Sequence, residues 1–211
     1  MKKTKEEAEL TKNQILKVAI KVFIKNGFSA TRLEDIAKEA NVTRGAIYHY
    51  FANKRDILLA IHQNNGERIQ KIINNIIEEE KDPIKILKNG FLRVYDHFEN
   101  DEDFKEVEEL FFKIEFASII QHDEILRNCF HNDLKSHKNK ILEIIKRGQK
   151  EKKIRKDIDA ENLSIIIMTF HLGLSMVWFK GIMELSIRQM AEFQIEVLLN
   201  GIQVKNKTIK N

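Results

Sequence analysis

The chain is poor in the residues that interrupt helices. One proline, Pro83, and eight glycines in 211 residues leave few places for tight turns. A sheet protein built on many hairpins needs more of both, so an all-α chain is expected. The single cysteine, Cys129, excludes an intramolecular disulfide and has no resolving partner for redox sensing. No apolar segment follows the charged opening MKKTKEEAEL, so the expectation is a cytoplasmic protein rather than a secreted one. Catalytic signatures are missing too: Gly-x-Gly-x-x-Gly, a P-loop, Gly-x-Ser-x-Gly, His-x-x-x-His and Cys-x-x-Cys do not occur. His131 and His137, six apart, fall on different faces of a helix and do not suit a shared metal. The expectation is therefore no enzyme, no cofactor and no metal.

What is present is ordinary in amount and uneven in placement. With 43% hydrophobic and 32% charged residues the composition is that of a globular protein. The net charge is +4, but residues 1–60 hold 12 Lys/Arg against 7 Asp/Glu, and the other 151 hold 24 against 25. The basic character sits in the N-terminal quarter, as expected where that part meets a polyanion.

Helical periodicity begins with Ile15, Ala19, Val22 and Phe23, which predict a helix over 11–26 ended by Gly27. Thr31 and Glu34 have the spacing of a capping box for a second helix, with Leu33, Ile36, Ala37 and Ala40 on its apolar face. Asn41 and Val42 interrupt it. Thr43 can cap a third short helix carrying Ala46, Ile47, Tyr50 and Phe51, and Asn53 with Asp56 can open a long helix towards Glu80. Two short helices separated by a few residues have the spacing of a helix-turn-helix. Further helices are expected over 83–98, 102–120, 123–150, 160–180 and 186–204, with no strand.

The stretch TRGAIYHYFANK, 43–54, carries the chemistry a DNA-reading helix needs. Arg44 can present its planar fork to a guanine edge. Gly45 leaves the backbone bare for close approach, at a cost of about 1 kcal/mol in helix stability relative to alanine. Ala46 could touch a thymine methyl, and Thr43, Tyr48, His49 and Tyr50 can meet phosphates. Lys54 places a cation at a helix N-terminus, against the dipole, and a bound phosphate would account for it. The competing reading is an ordinary short core helix with a solvated lysine.

Residues 11–58 closely resemble the N-terminal DNA-binding domain of the TetR family of bacterial transcriptional regulators. The resemblance rests on Phe23 to Gly27, Asp35-Ile36-Ala37, Val42-Thr43 and Tyr48-x-Tyr50-Phe51-x-x-Lys54, and the VTRGAIY segment is similar to the AcrR-like subgroup of multidrug-efflux repressors. His49 departs from the tryptophan usual there. The resemblance implies a homodimer that sets two recognition helices in successive major grooves of a palindromic operator and is released by a small inducer. It assigns base reading to Arg44 and Gly45, base or phosphate contact to Tyr48, and backbone contact to Thr43, His49, Tyr50 and Lys54, with Thr31 and Arg32 as secondary phosphate contacts. The domains implied are 9–69 for DNA binding, with the helix-turn-helix at about 32–51, and 70–211 for ligand binding and dimerisation, joined by the long helix.

Leu163 to Phe179 runs 17 residues without a charge, short of the roughly 20 that a membrane span needs. With 186–204 it suits a dimer interface of two helices from each subunit. His97, Phe111, Phe112, Glu115, Phe116, His171 and Trp178 are candidates to line a pocket for a drug-like or lipophilic inducer, on the ground that such ligands need apolar walls with few polar groups. The same phenylalanines at helical spacing also read as core. Two alternatives stand beside an efflux repressor. One is a regulator answering to a metabolite such as an acyl chain, the other an all-helical protein-interaction module without DNA binding.

Overall fold

A computed structural model describes residues 4–113 and 122–204. Among these residues the regular structure is helical: α1 Lys5–Asn26, α2 Leu33–Glu39, α3 Arg44–Tyr50, α4 Lys54–Glu79, α5 Pro83–Asn100, α6 Glu102–Lys113, α7 Glu124–Lys150, α8 Ala160–Phe179 and α9 Ile187–Ile202. One isolated antiparallel bridge joins Ile154 to Gln203. The chain divides into two compact units, residues 1–68 with 101–129, and residues 69–100 with 130–211.

In the first unit, α1 starts earlier than periodicity predicts. Thr4 accepts from the Glu7 N–H at 3.2 Å while the Thr4 N–H donates to Glu7 at 2.8 Å, a reciprocal cap that adds almost two turns before Thr11. The charged run KEEAEL has no apolar stripe, which is why periodicity alone passes over it. Gly27 ends α1 at φ 79°, a value that favours glycine.

The cap of α2 also corrects the sequence expectation by one residue. The N-cap is Arg32, whose N–H donates to Asp35 at 2.9 Å. Thr31 instead turns back and donates its hydroxyl to the Gly27 carbonyl at 2.8 Å, buried at 2% exposure. Beyond α2, Asn41 takes φ 53° and the Val42 N–H returns to the Ala37 carbonyl, closing the turn. Thr43 caps α3 by accepting from the Ala46 N–H at 3.1 Å, and Asn53 accepts from the Asp56 N–H at 3.0 Å at the start of α4.

Ile15, Ala19, Phe23, Ile36, Ala37, Ile47, Phe51, Ile57, Leu58 and Ile61 are buried at this end of the unit. Burying each large aliphatic side chain contributes about 1.5–3 kcal/mol, enough to fix α3 on α2 despite its seven residues. The acidic helix α6 is tied to the basic N-terminal quarter. Lys17 pairs with Asp103 at 2.6 Å and Lys21 with Glu106 at 3.4 Å, while Arg68 on α4 pairs with Asp101, just before α6, at 2.5 Å. Part of the basic excess is therefore neutralised inside the unit.

In the second unit, Asp159 caps α8 and Ser186 caps α9 through their side-chain oxygens. The connection after α7 folds close to the helix: the Ile154 N–H donates to the Gly148 carbonyl at 3.1 Å. Helix α8 has 20 residues and, by length and composition, is apolar enough to cross a bilayer. The uncharged stretch 163–179 fills all of it but the first turn, which carries Glu161. Only one side is buried, through Ala160, Leu163, Ser164, Ile167, Leu174 and Ser175.

Candidate nucleic-acid interface

Local sequence decides which side of α3 looks outward. Ile47 is 0% exposed and Phe51 5%, four apart on one face, and they anchor the helix. Arg44, Gly45, Tyr48 and His49 are exposed on the rest of the surface, with Ala46 and Tyr50 half-buried. His49 and Tyr50 meet edge to face at 5.3 Å, and Tyr50 leans on Phe51 at 6.5 Å. A Cβ built on Gly45 would meet nothing within 4 Å, so no internal packing demands glycine there. The bare backbone faces open space.

Two cationic groups of the stretch 43–54 lie in different settings. The Arg44 side chain is 76% exposed, with Nη2 3.3 Å from Glu34 Oε1 on α2. The same oxygen accepts from the Tyr48 hydroxyl at 3.0 Å, and the Arg44 guanidinium lies 5.7 Å from the centre of the Tyr48 ring. Sequence reading missed Glu34 in this part because its spacing from Thr31 assigned it to a cap. Ten residues separate it from Arg44, and no helical period links them.

Lys54 is turned inward. Its ammonium donates to the carbonyls of Phe28 and Ser29 at 2.7 Å each and of Thr31 at 3.0 Å, three acceptors for three protons. Burial lowers its pKa from the ordinary lysine value. A phosphate is therefore not needed to explain a cation at this helix start, as the loop before α2 supplies the negative ends. In the free protein the Thr31 and Lys54 side chains are both engaged by that loop. Arg32 stays exposed.

The ligand candidates fall in different units. His97, His171 and Trp178 belong to the second, Phe111 and Phe112 to the first, and Glu115 and Phe116 lie outside the described residues. In the second unit the structure adds a residue that sequence reading did not single out, the fully buried Tyr95. Its oxygen lies 2.7 Å from His171 Nδ1 and 3.2 Å from the His171 carbonyl. Phe91 and His137 pack edge-on against the His171 ring at 5.6 and 5.8 Å. Burial, with the neighbouring His137, pushes His171 down to about 3, so this imidazole is neutral at physiological pH. In the first unit, Asn65 donates to Glu108 at 2.6 Å, and burial pushes the Glu108 carboxyl up to about 7.

Comparison with known proteins gives a consistent result. Residues 15–61 match the model for bacterial regulatory proteins of the tetR family. The chain is 31% identical to the HTH-type transcriptional regulator TtgR of Pseudomonas putida, covering 84% of either chain. It is 27% identical to the HTH-type transcriptional regulator AcrR of Shigella flexneri, over 94% of this chain and 92% of that one. Its fold matches NalD, the secondary repressor of the MexAB-OprM multidrug efflux pump in Pseudomonas aeruginosa. That match has a TM-score of 0.78 at 22% identity and covers 96% of this chain and 100% of the other.

Proposed function

The chain belongs to the TetR family of bacterial regulatory proteins, DNA-binding regulators rather than enzymes, and we propose that it is an AcrR-like repressor released from its operator by a small hydrophobic inducer. The observation that carries this reading is α3. A capped helix is fixed by Ile47 and Phe51 and leaves Arg44, Gly45 and Tyr48 outward. Arg44 reads a guanine edge through its fork, Gly45 lets the backbone approach, and Ala46 offers a methyl contact. Thr43, Tyr48, His49, Tyr50 and Arg32 meet the sugar-phosphate wall. Residues 9–69 form the DNA-binding domain and 70–211 the ligand-binding and dimerisation domain.

The operator is a palindrome, because two copies of α3 related by a twofold axis face two half-sites. Dimerisation runs through α8 and α9. Ile165, Ile166, Phe170 and Met176 on α8 and Phe193 and Val197 on α9 are between 36% and 71% exposed, an apolar face that a second copy covers. That use also accounts for the length and apolarity of α8 in a cytoplasmic protein. The inducer is held in the second unit, where Tyr95, His171 and Phe91 offer aromatic walls with a neutral polar handle. Relatives that are named efflux regulators point to a pump gene, or the chain's own gene, as the target.

Fluorescence anisotropy with duplexes from the chain's own upstream region tests the reading. Binding should weaken steeply with salt. A drug-like hydrophobic compound should release the protein, and fatty acids in the same assay test the acyl-chain alternative. Arg44→Ala should cost about 1–3 kcal/mol and relax sequence preference at one position of each half-site. If no duplex bound in a salt-dependent way, the repressor reading would fail and the protein-interaction alternative would stand.

A further inference from the structure

We propose that Glu34 is a positioning residue that sets the specificity of α3: one carboxylate on α2 holds Arg44 and Tyr48 in place while opposing contact with phosphates of arbitrary sequence. The proposal rests on the DNA-binding reading above. Its basis is a three-membered contact across the turn between the two helices. Glu34 Oε1 accepts from the Tyr48 hydroxyl at 3.0 Å and lies 3.3 Å from Arg44 Nη2, while the guanidinium stands 5.7 Å from the Tyr48 ring centre.

Stability does not explain this arrangement. The Arg44 and Glu34 side chains are 76% and 42% exposed, where an ion pair adds little. The two helices are already joined through Ile36, Ala37 and Ile47, all buried. What the carboxylate does is restrict the rotamers of two long side chains on the outward face. An arginine that meets a guanine must present its planar fork in one orientation, and ordering it beforehand removes a cost otherwise met on binding. The approach to Glu34 is through Nη2.

The same charge acts against indiscriminate binding. Contact with DNA of any sequence is almost wholly electrostatic, and a carboxylate beside Arg44 offsets its charge and repels nearby phosphates. Hydrogen bonds from its own backbone N–H and from Tyr48, with the charge of Arg44, hold the Glu34 carboxyl below the ordinary range, so it is ionised at physiological pH. Glu34 thus strengthens base reading and weakens the sequence-independent part of the affinity.

The test uses the full chain and two duplexes of equal composition, one selected by the wild type from a randomised library and one scrambled. Glu34→Gln keeps an acceptor for Tyr48 and loses the charge, and Glu34→Ala loses both. Glu34→Gln should tighten binding to the scrambled duplex about three- to ten-fold and steepen its salt slope by about one. Affinity for the selected duplex should stay level or fall, so the ratio of the two drops about ten-fold, and further in Glu34→Ala. Equal tightening on both duplexes would show mere competition with DNA and overturn the proposal, as would no change on either. Circular dichroism checks folding, and Glu34→Gln alone decides if the alanine variant unfolds. A wild type that selects no duplex would sink the DNA-binding reading together with this one, whereas a selective wild type with an unchanged ratio in Glu34→Gln would sink this one alone.

Discussion

Lys54 Nζ lies 2.7 Å from the carbonyl oxygen of Phe28 and 4.9 Å from the centre of the Phe28 ring. One side chain thereby fastens the start of α4 to the loop that leads into α2. Lys54→Ala leaves three carbonyls without their donor, two of them in partly buried contacts, and should destabilise the protein by about 1–3 kcal/mol. The salt slope of DNA binding should hold. Thermal melts beside anisotropy at several salt concentrations separate this from a phosphate contact, whose loss would lower the slope by about one.

Glu108 gives a pH dependence with a definite sign. Its carboxyl ionises near 7 when folded against an ordinary value of 4.5, so between those values the folded state holds a proton that the unfolded state has released. Stability should therefore fall as pH rises from about 4.5 to about 7, by an amount on the order of 3 kcal/mol. In Glu108→Gln this fall should be absent. Urea denaturation of both proteins at pH 5 and pH 7.5 measures it, and parallel behaviour would refute it.

Gly148 is required by close packing. A Cβ there would lie 2.6 Å from Ile154 Cδ1 and 3.3 Å from Pro83 Cβ, and Ile154 is 0% exposed. The isoleucine has no open space to move into, so Gly148→Ala should cost about 1–3 kcal/mol despite the better helix propensity of alanine. Gly45→Ala, with open space at the Cβ position, should be neutral or stabilising in the same melts while weakening DNA binding.

The exposed face of α8 and α9 predicts an association defect. Val197 is 71% exposed and Phe193 62% on the same helix. Val197→Lys places a charge in the proposed interface and should shift the dimer towards monomer in sedimentation equilibrium, with helix content kept. A dimer of unchanged affinity would move the interface elsewhere.

The helix-turn-helix was readable because its determinants are local. Thr43 with Ala46, Asn53 with Asp56, and Gly27 at the end of α1 act within a single turn, and Ile47 with Phe51 mark one helical face. Where two local signals overlapped, sequence alone could not choose. Thr31 with Glu34 and Arg32 with Asp35 each have the spacing of a cap, and the second prevails because Thr31 is buried against the Gly27 carbonyl.

By itself the sequence determined the helical class, the helix-turn-helix and the outward face of α3, since capping and periodicity operate within four residues. The tertiary structure decided what the side chains of that stretch do. Lys54 reaches a loop more than twenty residues earlier, and Glu34 meets Arg44 and Tyr48 across a turn. Whether a charged group faces a carbonyl, a carboxylate or solvent depends on distances of about 3 Å between residues far apart in the chain, and those exist only once the apolar faces have packed.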